Sequence, residues 1–287
     1  MMAGVDVERI PVAAGVSLHT IVWPGGSGRP FLLVHGLSSN CLTWEAVARL
    51  LHDRGHPVAA VDLRGHGRSD KPDKGYDFAT LTSDLVAVIH RLGFDRPVVA
   101  GQSTGGNLAI ELGHRHPELA SGLVGVDGGV LELSEQWPRW EDCEAALAPP
   151  RFEGMPAAEL ERRIRGAHPG WSDEGLAATL ANCEVRPDGT VRPWLTFDRH
   201  LRILRALWEQ KPSGLVPNLT VPLLLLLADS GNDSMPPKRR AAERAVASGA
   251  AVRIEWFPGG DHDLHVQQPG VVADVLRRSV EDGFFRP

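Results

Sequence analysis

The chain has 287 residues, a net charge of -6, 43% hydrophobic and 23% charged residues, which suits one large α/β domain or two small ones in an ordinary globular protein. Acidic and basic residues are interspersed, and with neither a basic stripe nor a polybasic segment the sequence argues against nucleic acid or a membrane surface as partner. Three widely spaced cysteines, Cys41, Cys143 and Cys183, fit reduced thiols in a cytoplasm and neither a disulfide framework nor a metal spacing.

Residues 1–10 carry Asp6, Glu8 and Arg9 and no apolar core, so no signal peptide is expected. The longest apolar run, 221–228, contains a proline and is too short to cross a bilayer. Runs 5–12 and 16–22, split by Gly15, read as an antiparallel hairpin at a sheet edge. The continuous apolar run 31–34 reads as a strand buried on both faces, ending in His35-Gly36. Residues 43–52 have helical spacing, with Thr43 as candidate N-cap. A buried strand at 58–63 leads into the glycine-rich turn 64–70, and an amphipathic helix at 80–92 ends at Gly93. A strand at 97–100, the stretch Gly101-Gln102-Ser103-Thr104-Gly105-Gly106, a helix at 107–116 and a strand at 123–127 follow. Four strand–helix alternations imply a mostly parallel sheet with helices on both faces.

The rhythm breaks near Leu131. Residues 134–212 hold five of the eight tryptophans and eight prolines, and no convincing strand. They are expected to form a helical cap over a core built from 1–133 and 213–287. Most of the cap's aromatics are expected to be its own core, with Trp137 and Trp140 as candidate substrate contacts. The rhythm resumes with a strand at 222–228, a helix at 235–247, a strand at 252–257, a loop at 259–263 and a last helix at 269–280, proline in its first turn.

Gly101-x-Ser103-x-Gly105 between strand and helix has the form of a nucleophile elbow. The glycines remove side chains where strand and helix crowd, and Ser103 is forced into a strained turn at the positive end of the following helix. A serine hydroxyl is a weak nucleophile that needs a base, and the base needs an acid to hold its tautomer. The elbow implies the chain order serine, acid, histidine, at the carboxyl ends of strands. After 222–228 stand Asp229 and Asp233; Asp233, deeper in the loop and just before the helix, is preferred. Asp127, after the preceding strand, is the third choice. After 252–257 stand His262 and His265, and His262, behind two glycines, is preferred. The two spell His-x-x-His between Asp261 and Asp263, but with no third histidine or cysteine nearby no metal is expected. Oxyanion donors are sought in the backbone amides of Thr104 and Leu37. His35 is expected to tie its loop by hydrogen bonds, and His52, His56, His114 and His116, near helix ends, are expected to be solvated.

Taken together, His35-Gly36, the run Asp62 to Ser69, Gly101 to Gly106, Asp233 before its proline-led helix, and Asp261-His262 ahead of Gln268-Pro269 resemble the α/β-hydrolase superfamily. The match is to its small, cofactor-free, cap-bearing serine hydrolases. The resemblance covers nearly all of the chain outside the cap. It implies an α/β-hydrolase fold, with a mostly parallel central sheet flanked by helices and a helical cap insertion. It further implies Ser103 as nucleophile, His262 as base and Asp233 as its partner. Gln102 stands where a histidine is common before the serine and alters polarity beside it, which makes it a candidate substrate contact. Ser103 in place of an aspartate argues against haloalkane dehalogenases and epoxide hydrolases, and Ser-Thr-Gly-Gly is similar to cofactor-free haloperoxidases. The expected activity is hydrolysis of small, largely apolar carboxylic esters or lactones in the cytoplasm, on a small-molecule substrate and without a cofactor. Carbon–carbon bond hydrolysis, acyl transfer or perhydrolysis on the same triad is the first alternative, and a ligand-binding receptor with a residual site is the second.

Overall fold

The computed structural model describes residues 5–231 and 235–285. β1 (Asp6–Ala13) and β2 (Val16–Trp23) form the expected antiparallel hairpin. β3 (Phe31–Val34) leads through a 3₁₀ turn, Cys41–Trp44, into α1 (Glu45–His52). The cap of that turn is Asn40, whose side chain accepts from the Leu42 amide at 2.9 Å, and not Thr43, which lies inside the turn. β4 (Val58–Val61), α2 (Phe78–Leu92), β5 (Val98–Gln102), α3 (Thr104–Arg115) and β6 (Gly122–Val126) complete the first half. Asp77 caps α2 through the Thr80 amide, so the helix starts two residues before the expected Thr80.

The segment between β6 and the rest of the core holds α4 (Leu133–Gln136), α5 (Trp140–Leu147), α6 (Ala157–Ala167) and α7 (Asp173–Leu180). It continues with β7 (Cys183–Val185), β8 (Val191–Pro193) and α8 (Phe197–Glu209). Against the expectation of no strand in this segment, β7 and β8 pair as an antiparallel hairpin. Asp188 closes its turn by accepting from the Thr190 amide, with Gly189 at φ 80°. Three residues per strand are too few to show a two-residue alternation. The core resumes with α9 (Pro212–Leu215), β9 (Leu223–Asp229), α10 (Met235–Ala247), β10 (Val252–Pro258), α11 (Leu264–Gln267) and α12 (Pro269–Glu281).

Among the described residues, the core sheet has eight strands in the order β1-β2-β4-β3-β5-β6-β9-β10. β1–β2 and β2–β4 are antiparallel, and every pair from β4 to β10 is parallel. The unbroken apolar strands follow from burial on both faces. Leu32 and Val34 enter one core cluster while Phe31 and Leu33 enter the other. β9 divides its leucines likewise, Leu223, Leu225 and Leu227 to one side and Leu224 and Leu226 to the other. Each such leucine contributes about 1.5–3 kcal/mol by leaving water. The carboxyl ends of β3, β5, β6, β9 and β10 therefore stand in a rigid row.

Candidate active site

β5 runs straight into Ser103, whose backbone sits at φ 51°, ψ -119° before α3 begins at Thr104. That left-handed conformation stores about 1–3 kcal/mol at a non-glycine residue. Neighbouring contacts hold it in place. The Ser103 amide donates to the Val126 carbonyl at 2.9 Å, and its carbonyl accepts from the Gly106 amide at 2.9 Å. A Cβ on Gly101 would strike the Gly105 backbone, and one on Gly128 would strike the backbone of Ser103 itself. Only glycine fits at these two approaches of strand, helix and loop.

His262 lies in the loop between β10 and α11. Its Nδ1 stands 2.7 Å from Oδ2 of Asp127, the residue immediately after β6. Asp127 is itself held at φ 45°. Its carboxylate is buried, and its Oδ1 accepts from the Ala228 amide at 2.9 Å and from Lys238 Nζ at 2.7 Å. Burial would raise the Asp127 carboxyl, but the bonds from His262 and Lys238 outweigh it and hold it below the usual carboxylate range. Desolvation opposes the His262 cation. The bond to Asp127 and the charges of Asp263 and Asp127 outweigh that and raise the imidazole above its ordinary value.

The structure thus brings His262 to Asp127, the third-ranked carboxylate. The preferred acid, Asp233, lies outside the described residues. Asp229 is turned to the surface, with Oδ2 on Arg239 at 2.7 Å and Oδ1 accepting from the Gly231 amide. His265 is fully buried against Trp44, ring centroids 4.4 Å apart, and burial pushes it down to about 3. The His-x-x-His pair is therefore split, one ring on Asp127 and the other in the core.

Ser103, Gln102, Leu37 and His262 line one small cavity of about 130 Å³. Gln102 Nε2 donates to the His262 carbonyl at 3.3 Å, tying the elbow to the histidine loop. Thr104 is the first residue of α3, and the first amides of a helix have no intrahelical acceptor. Leu37 follows Gly36, and a Cβ on Gly36 would run into Gln102 Oε1. Ser38, Ser39, Thr179 and Asn182 line both this cavity and a larger one of about 530 Å³ between core and cap. Apolar groups such as Phe152, Leu160, Ile164, Leu195 and Phe197 line the larger one, along with Arg151 and Arg192.

Trp137 and Trp140 line neither cavity. Trp140 packs edge-on against Trp208, Arg205 lies over both of those rings, and the Trp208 indole N–H donates to the Trp137 carbonyl. These tryptophans join α5 to α8. The sequence passed over Ser38, at φ 61°, whose hydroxyl meets Nδ1 of His200 on α8 at 2.7 Å. A serine in a Leu-Ser-Ser-Asn loop carries no signal of that bond, which spans 162 positions. Lys238 was also missed, although a lysine on the inward face of α10 is a visible break in its pattern.

His35 ties its loop: Nδ1 meets the Gly36 carbonyl at 2.7 Å, and Nε2 accepts from the Leu63 amide. His56, expected in solvent, is buried edge-on against Phe31 with Nδ1 on the Arg29 carbonyl. Among the described residues, His19, Cys41 and Asp62 bring three metal-type ligand atoms within 4.8 Å of one another. Asp62 accepts there from the Cys41 and Arg68 amides and pairs with His19 at 3.1 Å. The cluster is a hydrogen-bonded clamp on the loops after β3 and β4.

A glycine-flanked, strained serine at the end of a central parallel strand, with a histidine on a buried carboxylate beside it, defines a class of α/β enzyme core. The chain belongs to the alpha/beta hydrolase family, whose model matches residues 31–275. It is similar to the 2-(acetamidomethylene)succinate hydrolase of Mesorhizobium japonicum, 25% identical over 263 residues and 89% of each chain. It is also similar to a non-heme haloperoxidase of Rhodococcus erythropolis, 27% identical over 265 residues, 88% of this chain and 92% of that one. A solved structure of E-2-(acetamidomethylene)succinate hydrolase superposes with a TM-score of 0.81 at 21% identity, covering 96% of this chain and 99% of the other. Family and hydrolase relative together support a hydrolase. No helix among the described residues is long and apolar enough to cross a membrane.

Proposed function

We propose that the protein is a serine hydrolase that cleaves small, largely apolar carboxylic esters or lactones through an acyl-enzyme. Ser103 is the nucleophile, His262 the base and Asp127 the partner of His262. With Nδ1–H donated to Asp127, the Nε2 lone pair of His262 takes the Ser103 proton as Oγ attacks the carbonyl. The amides of Leu37 and Thr104 receive the oxyanion. The tetrahedral intermediate expels the alcohol, which takes the proton from Nε2. Water then gives a proton to His262 and attacks the acyl-enzyme, and the carboxylic acid leaves as Ser103 regains its proton. Every proton and electron pair is carried by Ser103, His262 and water, so the chemistry needs no cofactor.

The observation that carries this reading is the His262–Asp127 bond beside a strained Ser103 in one cavity. The apolar lining of the adjoining 530 Å³ cavity supports the apolar substrate class. A fluorophosphonate probe and p-nitrophenyl acetate and butyrate test it. Labelling and turnover are expected in the wild type and lost in Ser103→Ala. An unlabelled wild type overturns the reading.

A second reading is favoured by Arg151 and Arg192 on the cavity and by the relative named for a succinate. Here the substrate carries a carboxylate away from the scissile bond. Higher kcat/KM for esters with a distal carboxylate than for neutral esters of equal length supports it. The reverse order supports the apolar class.

A further inference from the structure

α10 buries Met235, Lys238, Ala241, Ala242 and Ala245, a stripe at helical spacing in which one position is a lysine. A lysine there breaks the apolar pattern and loses its hydration, a cost of several kcal/mol unless the ammonium is bonded. Here it is bonded twice: Lys238 Nζ lies 2.7 Å from Asp127 Oδ1 and 3.0 Å from the Ala228 carbonyl. Its side chain is 8% exposed and that of Asp127 5%. The Ala228 amide also donates to Asp127 Oδ1, so Lys238 and Ala228 hold one carboxylate oxygen together and leave Oδ2 to His262.

We infer that Lys238 is a positioning residue for Ser103, His262 and Asp127: its ammonium fixes the Asp127 carboxylate and divides its negative charge between two cations. The inference rests on the serine-hydrolase reading for its catalytic meaning, though not for its geometry. A buried carboxylate facing His262 alone would bind the imidazolium strongly and keep His262 protonated to higher pH. Lys238 weakens that hold, and its own positive charge opposes the imidazolium directly. The base is then free at lower pH. Other charges face His262 as well: Asp261 and Asp263 on its own loop, His168 from the cap on Asp261, and His265 of α11. The entry to α10, residues 232–234, lies outside the described residues. Comparing variants changed only at Lys238 holds these other groups constant.

The test is an NMR titration of the His262 imidazole in isotope-labelled protein, with pH profiles of kcat/KM, for wild type, Lys238→Met, Lys238→Gln and Lys238→Arg. In the neutral variants the His262 titration is expected to move up by about one pH unit. The acid limb of kcat/KM moves with it, so activity falls about tenfold on that limb and by less on the alkaline side. Lys238→Arg, which keeps the charge, stays near wild type in titration. A lysine that only fills space lowers activity by one factor at every pH and leaves the titration where it was, and that outcome overturns the inference. If Lys238→Met does not fold, Lys238→Gln retains a polar group of similar length and reads the same titration. If wild type neither labels with fluorophosphonate nor turns over esters, the hydrolase reading falls, while the His262 titration still decides the role of Lys238.

Discussion

The sheet and the segment from α4 to α8, the proposed cap, are held together differently. In the sheet, side chains of β3, β5, β6 and β9 alternate between two large apolar clusters, and the core would lose both if a strand left. The cap's own buried cluster is Leu160, Cys183 and Val191. It joins the core by apolar contacts, Trp171 and Leu176 on Val266 and Leu195 and Ile203 in one of the two large clusters, and by a seam of side-chain hydrogen bonds. Asn40 Nδ2 donates to the Ala178 carbonyl and to Asn182, Ser38 meets His200, and Arg199 reaches the Lys71 and Pro72 carbonyls. Strain is stored at Ser103 and Asp127, both on the rigid side, which has the packing to hold it. The larger cavity lies between the two, lined by Ser38 and Ser39 on one side and by residues within 149–197 on the other.

The sharpest way to break that division is inside the rigid side. Asp127→Asn keeps the shape of the carboxylate and removes the charge that holds the His262 tautomer. We expect kcat to fall about 10³–10⁴-fold. Asp229→Asn, altered at a surface pair with Arg239, stays within about threefold. Equal losses in both would mean that either strand end supplies the acid. In stability, Leu225→Ala, fully buried in the sheet, costs about 2–5 kcal/mol by chemical denaturation. Leu160→Ala, in the small cap cluster and on the cavity wall, costs less and raises KM more than it lowers kcat.

The same contrast explains what could be read in the sequence. Strands buried on both faces are continuous apolar runs, so the sheet was legible from 31–34, 58–63 and 222–228. The elbow was legible because serine, glycines, strand and helix are all local. The carboxylate that meets His262 was not, because β6 and β9 are hydrogen-bonded neighbours. Val126 is in register with Leu226, and the Asp127 amide donates to the Leu226 carbonyl, so Asp127 and the residues after β9 emerge side by side. Chain order alone does not choose between carboxylates on adjacent strand ends. What marked Asp127 was Gly128-Gly129 behind it and a lysine facing inward on α10. Trp137 and Trp140 line neither cavity: richness in tryptophan reports apolar area, and at Trp140 that area packs on Trp208 of α8.

The pH dependence expected of the site is set by His262. In the proposed mechanism His262 must be neutral to accept the Ser103 proton, and its affinity for a proton is raised. Activity is therefore lost as pH falls through a midpoint above the ordinary 6.5 of histidine, and the acid limb of kcat/KM reads that midpoint. A midpoint below 6.5 would mean that desolvation wins over Asp127 and Asp263. His200, which burial pushes down to about 4, stays neutral across this range, so its bond to Ser38 adds no second step near neutral pH.

The smallest expected effect lies on the seam. His168, just past α6, stacks on Trp171 with centroids 3.9 Å apart, and its Nδ1 stands 2.7 Å from Asp261 Oδ2. Asp261 precedes His262, so this contact links the segment after α6 to the His262 loop. Both side chains are about a quarter exposed, and a pair of that kind contributes about 0.2–1 kcal/mol. His168→Ala should lower the Tm by about 2 °C or less and leave the Ser103→Ala-sensitive labelling rate nearly intact. It should raise KM a few-fold, because the cap closes less well over the cavity while the serine, histidine and aspartate keep their places. A fall in kcat with unchanged KM would place His168 among the groups that orient His262, and the cap would then share in the chemistry as well as in substrate choice.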